Sequence, residues 1–461
     1  MDHKFLAATG LAQADIDAWV GANPPDTRQF ANDCERYAGF WRRSAGLLAR
    51  LPPKPSRNPA EATAAESIKR SARESRHRFL AAHVNAVYAA LTDDRARFVR
   101  VEQLVYDAAT RFPGLTPTRK QVAEESKHVQ GDKDGVEIDQ GILASHILGD
   151  ARDGRHLCHA MLLPRAEARA LLPKLTAEGA VDLGFASVER RGKAAYVTMK
   201  NPRYLNAEDQ QTLDPVEICV DLALLDSAAD IAVLRGGVVD NPKYAGRRVF
   251  GTGINLTHLY YGRVPYSWYL QRELGFVNKF YRGLARPEIT PDEVYGDTIE
   301  KPWIAVVEAF AIGGHCQYLL TMDYTLASKE AFMTLPARKE GIIPGAANMR
   351  LPRFVGDRIA RQAIQYERRL DCDSAEGRMI CDEIVAAPDM DAALARVVDG
   401  LTNSGVVSAA ANRRAFRVTQ EPFDAFRAYC AVYAREQANC HFSPALIANL
   451  ERYWNAQSRK I

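Results

Sequence analysis

The hydrophobic rhythm of the chain changes near residue 184. Before it, apolar residues recur at helical spacing, as in Phe79, Leu80, His83, Val84, Val87 and Leu91, against a background of Ala, Leu, Arg and Glu. Pro52-Pro53-Lys54-Pro55 and Pro59 break this pattern, and Arg111 to Pro117 breaks it again. Further helices are predicted over Lys120–Lys127, Asp139–Leu148 and His156–Leu172, with a turn at Gly131–Gly135. This region carries no catalytic motif and reads as a helical packing or assembly domain.

From Gly184 the period shortens. Phe185–Arg190 and Ala194–Met199 read as strands around Arg191-Gly192. A helix is predicted from about Ala207 to Ser227, and a buried strand from Ile231 to Leu234, ended by Gly236-Gly237. Lys301-Pro302 closes a turn before Trp303–Val307, an apolar run typical of a strand covered on both faces. Gly313-Gly314 follow, and apolar residues resume at Tyr318, Leu319 and Leu320, so the stretch predicts strand, tight turn, helix. Met390–Leu401, Glu421–Ala438 and Ala445–Trp454 read as helices. The predicted class is α/β, with domains over 1–183 (helical), 184–370 (core) and 371–461 (C-terminal helices).

Composition narrows the function more than the fold. The chain has 461 residues, 47% hydrophobic and 25% charged, with a net charge of +3. That is an ordinary soluble composition, with no electrostatic signature of a nucleic-acid partner. No apolar run is long enough to span a membrane, and the N-terminus lacks a signal-peptide core, so a cytoplasmic protein is expected. The eight cysteines are scattered without a C-x-x-C pair and are expected to be reduced thiols. His156-Leu157-Cys158-His159 is the tightest metal-like cluster; it has no second pair nearby and reads as local packing, so no metal is expected.

The candidate chemistry lies in two glycine turns. Gly313-Gly314 allows a close backbone approach and leaves free N–H groups at a helix start. Arg248-Val-Phe-Gly-Thr-Gly-Ile-Asn-Leu256 is a second such turn after a short apolar segment. Two turns of this kind, each ending a strand, can aim two N–H groups at one oxygen, which is an oxyanion hole.

These turns, the Asn201-Pro-Arg-Tyr-Leu-Asn-Ala-Glu208 segment, Met322–Phe332 and Gly341-Ile-Ile-Pro-Gly-Ala through Leu351-Pro-Arg-Phe-Val-Gly356 resemble the crotonase (enoyl-CoA hydratase/isomerase) superfamily over roughly residues 184 to 400. Asp371–Val385 resembles the helix and return that follow there. The resemblance implies a ββα spiral core, trimers or dimers of trimers, and C-terminal helices over the active site. It implies that Ile254 and Gly314 donate N–H to a coenzyme A thioester carbonyl. It places CoA contacts at Phe250, Gly251, Thr252, Gly253, Ile254, Gly313 and Gly314, with Arg203 as a phosphate or adenine contact. The segment Val264–Leu284 falls where the family has a variable helix lining the acyl pocket. It carries Tyr266, Trp268, Tyr269, Phe276, Phe280 and Tyr281, with Arg272 among them. An arginine there needs a polar or anionic partner.

The hydratases of the superfamily use two glutamates, and here those positions are Gln317 and Ala337, after Pro336. Neither an amide nor a methyl exchanges protons with water. The chain is therefore expected to stabilise a thioester enolate without hydrating an alkene. With an arylacetyl group, such an enolate can be oxidised by O2 directly. The long helical N-terminal region, Gln317 and Arg272 resemble the cofactor-independent oxygenase branch of the superfamily, found in glycopeptide-antibiotic biosynthesis. That implies an aryl-CoA substrate and O2, no metal and no flavin, with Glu208, Arg272 and Gln317 on the dihydroxyphenyl ring. His315 reads as structural, and the base that removes the α-proton is unassigned. A crotonase-type thioesterase or decarboxylase, or a non-catalytic acyl-CoA-binding scaffold, are the competing readings.

Overall fold

The computed structural model describes residues 4–25, 27–289, 294, 296–403 and 406–461. The first three residues, part of the signal-peptide expectation, lie outside them. A seven-stranded sheet runs in the order β1-β2-β3-β4-β7-β9-β12. Its strands are β1 (Ala180–Asp182), β2 (Ala186–Arg191), β3 (Ala194–Met199), β4 (Ile231–Gly236), β7 (Trp303–Val307), β9 (Tyr324–Ser328) and β12 (Glu383–Val385). β2 is antiparallel to both β1 and β3; β3, β4, β7, β9 and β12 run parallel. A second sheet, β11-β10-β8, pairs β8 (Phe310–Ile312) parallel to β10 (Phe332–Thr334), with β11 (Leu370–Asp371) antiparallel on its far edge. β5 (Leu284–Ala285) and β6 (Thr298–Ile299) form a small separate pair.

The unbroken apolar run of β7 follows from cover on both faces. Trp303, Ala305 and Val307 point into the main core. Ile304 and Val306 point the other way, into a second cluster with Met390, Ala393, Leu394 and Val397 of the helix Met390–Asn403. β4 divides its residues likewise, Ala232 and Leu234 one way, Ile231 and Val233 the other. Lys301, just before β7, is buried, and its ammonium donates to the carbonyls of Ala223 (2.8 Å) and Asp226.

Several expectations need correction. The β pattern starts at Ala180, before Gly184. Pro59 does not break a helix; it is the first residue of the helix Pro59–Thr92, where its missing N–H costs nothing, behind an Asn58/Glu61 capping box. His156–Leu172 is two helices, Ala151–Leu162 and Ala166–Glu178, separated at Pro164. The helix expected from Ala207 starts at Gln210, because Asp209 caps it. A strand the sequence reading lacked, β8, lies between β7 and the glycine turn. Asp371–Val385 holds the end of β11, a 3₁₀ turn at Gly377–Met379 and β12 rather than an α-helix. The helix Val406–Gln420 was also unanticipated.

The main core is continuous from Leu6 to Ala456. The helices Ile138–Gly149 and Phe423–His441 pack along each other, joining the N- and C-terminal helical segments. Trp303 is the large side chain at the centre of the parallel sheet, fully buried and edge-on to Phe280 at 4.8 Å. Trp303→Ala is expected to lower the unfolding free energy by about 3–5 kcal/mol, read from denaturant midpoints. Val407→Ala, at an exposed position, should shift it by less than about 0.5 kcal/mol.

Candidate active site

The turn around Gly253 does not end a strand of its own, contrary to expectation. It is held by single bridges instead: Gly251 pairs with Ala311 of β8, and Ile254 pairs with Glu208. In the second bridge the Glu208 N–H donates to the Gly253 carbonyl (2.7 Å) and the Asn255 N–H to the Glu208 carbonyl (2.7 Å). A parallel bridge uses the residues flanking Ile254, so the Ile254 N–H is turned to the opposite side. Gly314 opens the helix Gly314–Leu319, and its N–H has no acceptor within the helix. Among the described residues neither N–H donates to a protein group.

The two turns touch. Gly253 has φ +74°, and a Cβ there would sit 2.8 Å from the Gly314 nitrogen. A Cβ on Gly314 would meet Glu208 Oε2 at 1.9 Å. Only glycine fits at both places. His315 braces the arrangement: its Nδ1 accepts from the Gly253 N–H at 2.9 Å. Burial pushes the His315 imidazole down to about 4, so it is neutral at physiological pH. Phe250 packs edge-on against His315, and the Thr252 hydroxyl donates to the Tyr204 carbonyl at 3.2 Å.

The Asn201–Glu208 turn sets Glu208 in place. The Asn206 side chain donates to the carbonyls of Gly237 (2.8 Å) and Val249 (2.7 Å), tying the end of β4 to the second glycine turn. Asn201 donates to the Ala207 carbonyl (2.9 Å). The helix Ser267–Arg272 supplies Arg272 at its last position, and a π-helical turn, Glu273–Val277, follows. Such turns reorient side chains near functional sites.

The structure brings Glu208, Arg272, Gln317, Ile254 and Gly314 to one small cavity of about 30 Å³. Arg272 is buried and makes four hydrogen bonds. Its Nε donates to Glu208 Oε1 (2.7 Å), Nη1 to Gln317 Oε1 (2.8 Å) and to Glu273 Oε1, and Nη2 to the Gly314 carbonyl (2.9 Å). Its guanidinium also stacks 4.9 Å from the Tyr318 ring. The Tyr318 hydroxyl donates to Glu208 Oε1, while Glu208 Oε2 has no partner. Burial alone would push the Glu208 carboxyl up; the Arg272 charge, with hydrogen bonds from Arg272 and Tyr318, holds it below the usual carboxylate range. Glu273 is pushed up by burial, which Arg272 and Arg350 only partly offset.

Other expected contacts lie apart. Arg203 is exposed and lies outside this cavity, over the ring of its neighbour Tyr204 at 5.1 Å. Phe250, Gly251, Thr252, Gly253 and Gly313 hold the two N–H groups in place without lining the cavity. Of the six aromatic residues in 264–284, Trp268 and Tyr269 line it; Tyr266 bonds the Ala434 carbonyl (2.5 Å), and Phe280 packs on Trp303. His156 accepts from Tyr88 and donates to the Arg95 carbonyl, and His159 donates to the Arg286 carbonyl. Among the described residues no group of three or more His, Cys, Asp or Glu side chains is placed to hold a metal ion. No described helix is long and apolar enough to cross a membrane. Sequence reasoning missed Glu273, Tyr318, Tyr433 and Glu340. Glu273 and Tyr318 each adjoin a chosen residue; Glu340 sits one turn beyond the position tested for a glutamate.

The Enoyl-CoA hydratase/isomerase family profile matches residues 292–435. A curated (3,5-dihydroxyphenyl)acetyl-CoA 1,2-dioxygenase of Amycolatopsis orientalis is 45% identical over 393 residues, 85% of this chain and 89% of that protein. A short-chain-enoyl-CoA hydratase of Clostridium acetobutylicum is 25% identical over 237 residues, 51% of this chain and 82% of that protein. The crystal structure of an enoyl-CoA hydratase from Mycobacterium avium subsp. paratuberculosis K-10 superposes with a TM-score of 0.48 at 19% identity, covering 58% of this chain and 98% of that one. The chain belongs to the crotonase (enoyl-CoA hydratase/isomerase) superfamily. Within it, the high-coverage likeness is to the Amycolatopsis dioxygenase, and it extends well outside the core that the hydratases share.

Arg272→Ala strands the Glu208 carboxylate in a low-dielectric site. It should cost about 3–5 kcal/mol of stability at neutral pH. Glu208 titrates below its ordinary 4.5 in the folded protein, so its stabilisation is present above that value and is lost as pH falls toward the folded value. The variant lacks it. Unfolding curves of the two proteins should therefore converge as pH drops below 4.5.

Proposed function

We propose that the chain is a dioxygenase that converts 3,5-dihydroxyphenylacetyl-CoA and O2 to 3,5-dihydroxyphenylglyoxylate and free CoA, without metal or flavin. The observation that carries this is one cavity holding two unengaged backbone N–H groups beside a buried Glu208–Arg272–Gln317 array, with Gln317 at one of the two positions where hydratases carry a glutamate. The 45% identity to a curated dioxygenase of that name supports it.

In this reading the thioester oxygen sits between the N–H groups of Ile254 and Gly314, which are fixed before substrate arrives and so need no reorganisation as charge develops. The dihydroxyphenyl ring lies toward Glu208, Arg272 and Gln317. The unpaired Glu208 Oε2 is an acceptor waiting for a donor, and a ring hydroxyl supplies one. A buried acceptor left empty is costly, so the site favours a hydroxylated ring over a bare one. Loss of the α-proton gives the enolate, which passes an electron to O2. The peroxide formed at the α-carbon attacks the thioester carbonyl, CoA leaves as the thiol, and the O–O bond breaks to give the keto acid. Both oxygen atoms enter the product.

The division at 183 and 370 assigns this chemistry to the middle of the chain, with the flanking helices as cover. Assembly as a trimer or dimer of trimers, and a cytoplasmic location, belong to the same reading.

The test is O2 uptake with 3,5-dihydroxyphenylacetyl-CoA by protein stripped of metal and flavin. Glu208→Gln should lower kcat/KM by about 10²–10³ while leaving the affinity for CoA itself unchanged. CoA release without O2 uptake would instead identify a thioesterase.

A further inference from the structure

The two glutamate positions of the hydratases are empty of acid here, yet a carboxyl group re-enters the cavity from the same short helix. Glu340 is the last residue of the helix Ala337–Glu340, one turn beyond Ala337. It lines the cavity with Ile254, Gly314, Arg272 and Gln317 and is 4% exposed. A Cβ built on Gly313 would lie 3.7 Å from its Oε1, so the carboxyl stands beside the Gly313–Gly314 peptide that carries one of the two free N–H groups. Among the described residues, no side chain or backbone N–H bonds to it.

The helix holds this carboxyl inward and keeps its own cations away. Arg338 and Lys339 both pair with Glu367 on the outer side (3.2 and 2.5 Å). Asn449 and Trp454 donate to the carbonyls of Arg338 and Lys339, and the Glu340 N–H donates to the Pro336 carbonyl at 2.9 Å. The nearby acid–base groups are engaged elsewhere, apart from Glu208 Oε2, whose carboxylate is held by the Arg272 charge. Glu208 is tied to Arg272 and Tyr318, Glu273 to Arg272 and the Ala346 N–H, and His315 Nδ1 to the Gly253 N–H.

We propose that Glu340 is the base that takes the α-proton of the acyl-CoA thioester. The Cα–H bond breaks, the proton passes to a Glu340 carboxylate oxygen, and the electron pair becomes the enolate held by the Ile254 and Gly314 N–H groups. No oxidant or co-reactant enters this step. With the thioester oxygen at those two groups, the α-carbon lies two bonds away, inside the wall that Glu340 forms. Burial, followed by the Glu367 charge, pushes the Glu340 carboxyl up to about 8, a proton affinity suited to accepting a carbon-bound proton near neutral pH. The titratable groups that line the cavity with it are Tyr269, Glu208, Arg272 and Tyr433, whose phenol is pushed well up by burial, and Glu367 is the charged neighbour outside the cavity. Burial pushes Tyr269 far up and His315 down to about 4, so neither titrates near Glu340.

The inference rests on the proposed arylacetyl-CoA substrate, and its test separates the two. Without O2, in D2O, mass spectrometry counts deuterium entering the α-carbon of 3,5-dihydroxyphenylacetyl-CoA. Glu340→Gln should exchange at least about 100-fold more slowly than the parent protein, with substrate affinity retained. In the parent protein the exchange rate should rise with pH through about 8, a readout that needs no variant. Exchange by Glu340→Gln at the parent rate, or a parent rate flat between about pH 6 and 9, overturns the assignment. Exchange by the parent protein without O2 uptake in air would instead overturn the dioxygenase reading and leave Glu340 as the base.

Discussion

The buried guanidinium of Arg272 is the constraint on which the site depends. A charge with so little water around it is tolerated only when it is paired and hydrogen-bonded. Its four hydrogen bonds reach Glu208 on the turn before one helix, Glu273 on its own π-turn, and Gly314 and Gln317 on the helix after the glycine turn. Three segments far apart in sequence are therefore fixed by one side chain. The bond to the Gly314 carbonyl matters beyond its own energy. It orients the first residue of the helix whose N–H faces the cavity, so electrostatics and backbone geometry are set together.

The sheet supplies the other half of that rigidity. β4 and β7 are buried on both faces, so their ends do not drift, and the Asn206 amide anchors the Glu208 turn directly to the end of β4. β8 then gives Gly251 an edge to pair with. The second glycine turn thus borrows order from a neighbouring sheet instead of from a strand of its own. A backbone donor pair needs such support, because a peptide cannot be steered by a rotamer change.

Much of this was legible in the residues. The apolar run Trp303–Val307 announces a strand with two covered faces, and two glycine turns announce close backbone approach. Gln317 and Ala337 disclose which reaction is excluded. The illegible parts share a physical cause: short elements made by tertiary contact. β8 has three residues and exists because Gly251 and β10 pair with it. The π-turn after Arg272 leaves no periodic signature in an aromatic stretch. Pro59 was misread because proline opens a helix as readily as it breaks one. Glu340 was passed over because a sequence motif is compared position by position, whereas one helical turn moves a side chain three residues along the same face.

That shift also explains how enolate chemistry persists when the usual acids are gone. Hydration needs a second acid–base group to deliver a water and protonate carbon, and a cavity with two free carboxyls would reprotonate its enolate. Here the carboxyls are unequal. Arg272 keeps Glu208 ionised, and one oxygen of that carboxylate has no hydrogen-bond partner. Glu340, without a cation, holds a proton more tightly. In the proposed reaction, one group makes the bound aryl system more electron-rich while the other takes up a single proton. The environments, more than the residue types, separate the two roles. Under the proposed roles, such a site favours electron loss from the enolate over its return to carbon acid, which is the partition an O2-consuming reaction requires.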